Sequence, residues 1–177
     1  MNNEKIILYR KGSKHAFSLC KLTEKEMDMC LAMQDIIVEI IGDPTVFQPI
    51  TREELEESVR CDSVYGVYDG ETLAAWSMFI HNRDTDRTLA DDAGVPRAAC
   101  LTFDGVLVHP AYRGYGLQRF FLTLAEETAR ACGAAYVLAT TSPANTHSYQ
   151  NFHKAGFLVL REYIKYGHPR YLLQKTL

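Results

Sequence analysis

The chain has 177 residues and 20.1 kDa, and it is 47% hydrophobic and 23% charged. That is the make-up of one globular domain over 1–177. It excludes disorder, collagen-like repeats and coiled coil. A net charge of −3 and a pI near 6.1 argue against nucleic-acid or acidic-membrane partners, which need a basic face. The cysteines Cys20, Cys30, Cys61, Cys100 and Cys132 are scattered and form no C-x-x-C pair. They read as buried free thiols of a cytoplasmic protein. The run Ile36–Ile41 is interrupted by Glu39 and is far shorter than the roughly 20 residues of a membrane span. Met1–Lys5 leads only into Ile6-Ile7-Leu8, too short for a signal core of about 7–15 residues.

The first strand is expected at Phe17–Leu22. Thr23 with Glu26 forms a capping box, and Met27, Cys30, Leu31, Gln34, Ile37, Val38 and Ile41 then follow a helical period that Gly42-Asp43-Pro44 stops. Thr51 with Glu54 opens a second helix through Arg60. Ser63–Tyr68 and Leu73–Ile80 read as a hairpin around Asp69-Gly70. His81–Arg97 is polar and acidic, with Asp84, Asp86, Asp91 and Asp92, and reads as a solvated loop. Ala98–Val108 is a strand in which Gly105 points to a bulge. A helix bearing Leu117, Phe120, Phe121, Leu124, Ala125 and Thr128 on one face follows, with Gly133 placed to cap it. Ala135–Thr140 is a buried strand. Ser142-Pro143 starts a helix to Ala155, and Phe157–Tyr166 and Tyr171–Lys175 close the chain as strands. The order indicates an α/β or α+β sheet with helices on both faces.

The stretch Val106-Leu107-Val108-His109-Pro110-Ala111-Tyr112-Arg113-Gly114-Tyr115-Gly116-Leu117-Gln118 carries the most chemistry. A strand feeds a glycine turn that opens a helix, so unpaired N–H groups and the positive end of a helix dipole meet at one spot suited to a phosphate. Gly114 and Gly116 leave room for close backbone approach. The dinucleotide fingerprint needs a third glycine where Arg119 stands, and the G-x-x-x-x-G-K-[ST] loop is absent. Glycines serving only tight packing are the plain alternative.

Here the chain resembles the GNAT superfamily of acyl-CoA-dependent N-acyltransferases. Arg113-Gly114-Tyr115-Gly116-Leu117-Gln118 after Val106–Pro110 is similar to its motif A, with Gln118 in place of the usual small residue. Asn145, Ser148, Phe152 and Gly156-Phe157 are similar to its motif B, in the right order and separation. The likeness covers Ala98–Leu177. It implies a mixed, mostly antiparallel central sheet with helices on both faces and a splayed strand pair admitting the cofactor. The implied donor is acetyl-CoA, with no metal, and the implied acceptor is an amine. Val106, Leu107 and Val108 would hold the pantetheine arm. Amides from Arg113, Gly114, Tyr115, Gly116, Leu117 and Gln118 would cradle the diphosphate. Asn145, Ser148 and Phe152 would reach the cofactor from the next helix.

An amine with pKa near 10.4 must be deprotonated to attack, at a cost of about 4.6 kcal/mol at pH 7, whereas a thiol near 8.5 leaves readily. The base is therefore the demanding part. Thr102 and Asp104 share one strand face, and Thr102 occupies a position that the family most often fills with Glu. Asp104 is the expected base. The family's usual tyrosine acid is replaced by Phe152, and Tyr149, three residues earlier, is the candidate substitute. Amides near Val108, freed by a bulge at Gly105, would stabilise the oxyanion. The expected activity is acetyl transfer to a primary amine of a small molecule by a monomer or homodimer. Its rivals are transfer to a peptide or protein amine and a non-catalytic acyl-CoA-binding module.

Overall fold

The computed structural model describes residues 4–81 and 85–177; of the residues discussed above, Met1–Asn3 and Asp84 lie outside them. Eight strands, β1 (Glu4–Arg10), β2 (Ser13–Lys21), β3 (Val64–Asp69), β4 (Thr72–His81), β5 (Cys100–Val108), β6 (Tyr136–Thr141), β7 (Leu158–Lys165) and β8 (His168–Thr176), form one sheet in the order β1-β2-β3-β4-β5-β6-β8-β7. Among the described residues only β5 and β6 run parallel, and the remaining pairs are antiparallel. The helices are α1 (Met27–Ile41), α2 (Arg52–Arg60), α3 (Ala90–Ala93), α4 (Leu117–Ala131) and α5 (Thr146–Lys154).

Alternation along the strands sorts the core into two layers. Phe79, Leu101 and Phe103 pack with Leu117, Phe121 and Ala125 of α4 and with Phe152 of α5. Trp76, Met78 and Leu107 pack with Met27, Cys30, Met33 and Ile37 of α1 and with Leu55 of α2. On that same face Leu89 and Ala90 at α3 cover Cys100, Leu138 and Leu172. The mixed sheet with helices on both faces is thus the architecture of this chain.

Both Thr capping boxes form, at Thr23 and Thr51, and Gly133 takes φ 74° just past the end of α4. Several boundaries differ from the sequence reading. β1 is a short, mostly exposed edge without clear alternation, so its sequence carries no strand signal. α3 is one turn inside the segment read as loop. α5 begins at Thr146 with the Asn145 side chain accepting from the Ser148 amide at 3.1 Å, so Asn145, not Ser142, is its cap. Lys165 faces His168 across a two-residue turn, Tyr166-Gly167, so His168 and Pro169 already belong to β8. Cys20, Cys30 and Cys100 are buried free thiols, but Cys61 and Cys132, at the ends of α2 and α4, are exposed. Helix ends are where amphipathic burial lapses.

Gln34, buried on α1, clasps the loop that follows. Its amide donates to Ile50 O at 3.0 Å and accepts from Ile50 N at 2.9 Å. That clasp fixes the 42–51 loop over the sheet.

Candidate active site

The site begins where two strands part. β5 and β6 pair from Cys100↔Tyr136 to Phe103↔Ala139 and no further, although β5 runs on to Val108 and β6 to Thr141. The divergence is built by a bulge. Gly105 pairs with Met78 and Phe103 with Phe79, which leaves Asp104 as the extra residue. Its effect on side-chain direction is direct: Phe103 faces α4 and α5, yet Leu107 faces α1. Gly105 holds φ 140°, a region that L side chains rarely adopt, and the buried Ser77 hydroxyl donates to Gly105 O at 2.6 Å to pin it. Beyond the bulge, the His109 amide donates to Ala74 O on β4 at 2.9 Å. Strand amides alternate, so the N–H of Leu107 also turns to β4, while those of Val106 and Val108 turn into the gap.

At the end of β5, Gly114 (φ 88°) and Gly116 (φ 79°) swing the chain into α4. The start of α4 has no side-chain cap and no acid in its first turn, so its leading amides and dipole stay open to an anion. The edge strands hold this turn in place. Arg10 donates to Ala111 O at 3.1 Å and its guanidinium lies 4.4 Å from the Tyr115 ring centre. Tyr112 Oη donates to Asp69 at 3.2 Å, and His15 lies 3.0 Å from the same carboxylate. His109 Nδ1 accepts from the Ala111 amide at 3.3 Å, a local cap.

A cleft of about 240 Å³ opens from the gap toward the α1 face. One end is lined by Val106, Thr140, Thr141, Ser142, Asn145, Ser148 and Phe152. The other is lined by the 46–51 loop, Glu54, Arg87, Leu89, Asp104, Tyr166 and Arg170. The Asp104 carboxylate lies 3.5 Å from Arg87, whose guanidinium also reaches Ser58 Oγ at 2.6 Å, Glu54 O at 3.0 Å and Glu57 at 3.5 Å. Tyr166 overhangs this end from the hairpin tip with φ 56°. Partial burial, with the charges of Asp104, Glu54 and Asp92, pushes its phenol up to about 12.

Asp104 and the motif B residues Asn145, Ser148 and Phe152 therefore line one cleft with Val106. Tyr149 does not line it. Phe152 turns inward onto Phe103 with ring centres 5.8 Å apart, while Tyr149, on the same helix, packs on Tyr171 at 5.4 Å. Three residues on a helix subtend about 300°, enough here to carry the phenol off the cleft. Gln118 spends its side chain tying helices together: it donates to Ser148 Oγ at 2.9 Å and accepts from Asn151 at 2.7 Å. Thr102, 1% exposed, accepts from the Leu89 amide at 3.1 Å. Trp76 and Phe79 are core residues, and Tyr65 stacks on Phe79 at 4.9 Å. Sequence reading missed Arg87, Tyr166 and Arg170. They come from a polar loop, a turn and a strand start, and no spacing relates them.

Residues 33–157 match the Acetyltransferase (GNAT) family. No curated protein matches the chain. Solved structures share its fold. A GNAT-family acetyltransferase from Listeria monocytogenes 4b is 15% identical, covering 98% of this chain and 100% of its own, with TM-score 0.74. The GNAT domain of S. lividans PAT is 19% identical over 99% and 97%, with TM-score 0.74. yncA, a candidate acetyltransferase from Salmonella typhimurium solved with its cofactor acetyl-CoA, is 18% identical over 92% and 95%, with TM-score 0.69. With the split strands, the bulge and the open glycine turn in place, and the family match spanning most of the chain, this protein belongs to the acetyltransferase (GNAT) family.

Proposed function

We propose that the protein transfers the acetyl group of acetyl-CoA to a primary amine of a small molecule. The observation that carries this reading is that the Asp104 carboxylate and Val106, whose amide turns into the gap between the split strands, line one cleft. The likeness in fold to yncA, which was solved with acetyl-CoA, supports the choice of donor. The diphosphate belongs at the turn from Arg113 to Gln118, against the uncapped start of α4. The pantetheine arm runs along Val106 and Val108, whose amides also serve the oxyanion as the tetrahedral centre forms. Leu107 contributes packing beneath them.

Asp104, beside Arg87, attracts an ammonium and takes its proton directly or through water, leaving the neutral amine to attack the thioester carbon. The C–N bond forms, and the C–S bond breaks as the nitrogen sheds its extra proton to water. The thiolate takes up a proton from water, and Asp104 returns its own proton to solvent to close the cycle. Tyr149 is given no proton to carry. The modest cleft, walled by the 46–51 loop and Tyr166, favours a small acceptor over a peptide. A non-catalytic acyl-CoA-binding module is the second reading, favoured by Thr102, whose hydroxyl is committed to Leu89, and by the absence of a hydroxyl at Phe152. A thiol-release assay over an amine panel decides between them. Turnover of any amine supports the transferase, and firm coenzyme A binding with no release from any amine supports the module.

A further inference from the structure

We infer that the acceptor is a zwitterion, an amine that also bears a carboxylate, and that the carboxylate docks on Arg170. This deepens the transferase reading and rests on it. Arg170 lies on β8 just beyond the point where pairing with β6 ends at Thr141↔Tyr171, so its side chain reaches the mouth of the split. It is 3% exposed. Its Nη1 donates to Val46 O at 3.2 Å, while its buried Nη2 has no hydrogen-bond partner among the described residues. No carboxylate pairs with it among those residues. In the same cleft Arg87 is also buried and has an unpartnered Nε, but its other nitrogens meet Glu57, Asp104 and Ser58.

An arginine stays charged at neutral pH, and a buried charge without a counter-ion is costly. The planar fork of a guanidinium suits a carboxylate above other partners. Asp104 and Glu54 line the same cleft. Tyr166 and Arg170 line it with them. Glu54, the Asp104 carboxylate that Arg87 also approaches, and a guanidinium that meets no carboxylate among the described residues face one small space. Together they complement an ammonium and a carboxylate on one molecule. The cofactor's diphosphate is not a rival occupant. Its glycine turn opens α4 on the opposite face of the sheet from Arg170, which shares a face with Leu172 and α3.

The test compares each common amino acid with its carboxamide and its decarboxylated amine, by thiol release with acetyl-CoA. At least one amino acid should have kcat/KM about tenfold or more above its carboxamide, the weight of a charge-assisted pair. The amide's amine is the less basic, so the supply of neutral amine runs against that preference. Arg170→Gln should erase the gap while Arg170→Lys keeps part of it. Because Arg170→Gln also removes the Val46 contact, its melting temperature is read alongside, and the wild-type comparison stands without it. Equal or better turnover of the amides would overturn the inference and leave the transferase standing. If no amine releases thiol, the transferase reading fails. Calorimetry of amino acid against carboxamide on the coenzyme A-saturated protein then decides whether Arg170 binds a carboxylate, since equal heats sink the idea.

Discussion

Thr102 Oγ accepts a hydrogen bond from the Leu89 amide at 3.1 Å, deep in the sheet. This strand position is thus spent on fixing the segment that leads from Arg87 into α3. Thr102→Val keeps the shape and removes the acceptor, so a buried N–H is orphaned at a cost of about 1–3 kcal/mol. Urea unfolding should show that loss, with Thr102→Ser retaining most of the stability. Equal stability of the valine variant would mean that Leu89 finds another partner.

Asp104→Asn should lower kcat/KM by roughly a hundredfold or more, the usual weight of a general base. The shape of the pH–rate profile should change, leaving only the dependence set by protonation of the free amine, and coenzyme A affinity should hold. An unaltered profile removes Asp104 from the chemistry and leaves it as the partner of Arg87.

Tyr149→Phe should leave kcat unchanged. Its ring lies against Tyr171 and His153, away from the cleft. A collapse of turnover, with stability intact, would return the phenol to the reaction.

Gly114 adopts φ 88°, and a Cβ there would stand 3.4 Å from Arg10 Cδ. Gly114→Val therefore strains the backbone of the turn, at a cost of about 1–3 kcal/mol. Coenzyme A binding by calorimetry should weaken by at least about tenfold. Unchanged affinity would move the diphosphate away from this turn.

Asp92 ties α3 to the hairpin, accepting from Lys165 Nζ at 2.6 Å and Tyr163 Oη at 2.9 Å. Burial works to raise its pKa, but those hydrogen bonds with the charges of Lys165 and Arg161 outweigh it and hold it below the ordinary carboxylate value. A depressed folded pKa contributes stability that is fully present above the unfolded value near 4 and fades as pH falls through the folded one. The gap in melting temperature between wild type and Asp92→Asn should be largest near neutrality and narrow in acid. A gap that does not change with pH contradicts the charge argument.

The elements legible from sequence were those with a local cause. Thr23 and Thr51 cap helices through partners three residues away, Gly114 and Gly116 sit in a turn that needs them, and Gly105 announced the bulge. The donor end of the cleft shared that locality, because one strand, turn and helix build it. The acceptor end did not. Arg87, Tyr166 and Arg170 meet only after β8 crosses to lie beside β6, and such an encounter is written in topology. Tyr149 and Phe152 show the same limit at short range: helical phase alone did not say which of them the neighbouring strands would bury.

Tyr166 stands at a hairpin tip in a conformation that glycine accepts and bulky side chains resist. The fold tolerates a poor turn residue in order to hang a ring above the opening. A library that varies this position therefore gains turn quality with Gly, Asn or Asp, so acceptor range can drift toward those residues without eroding the scaffold.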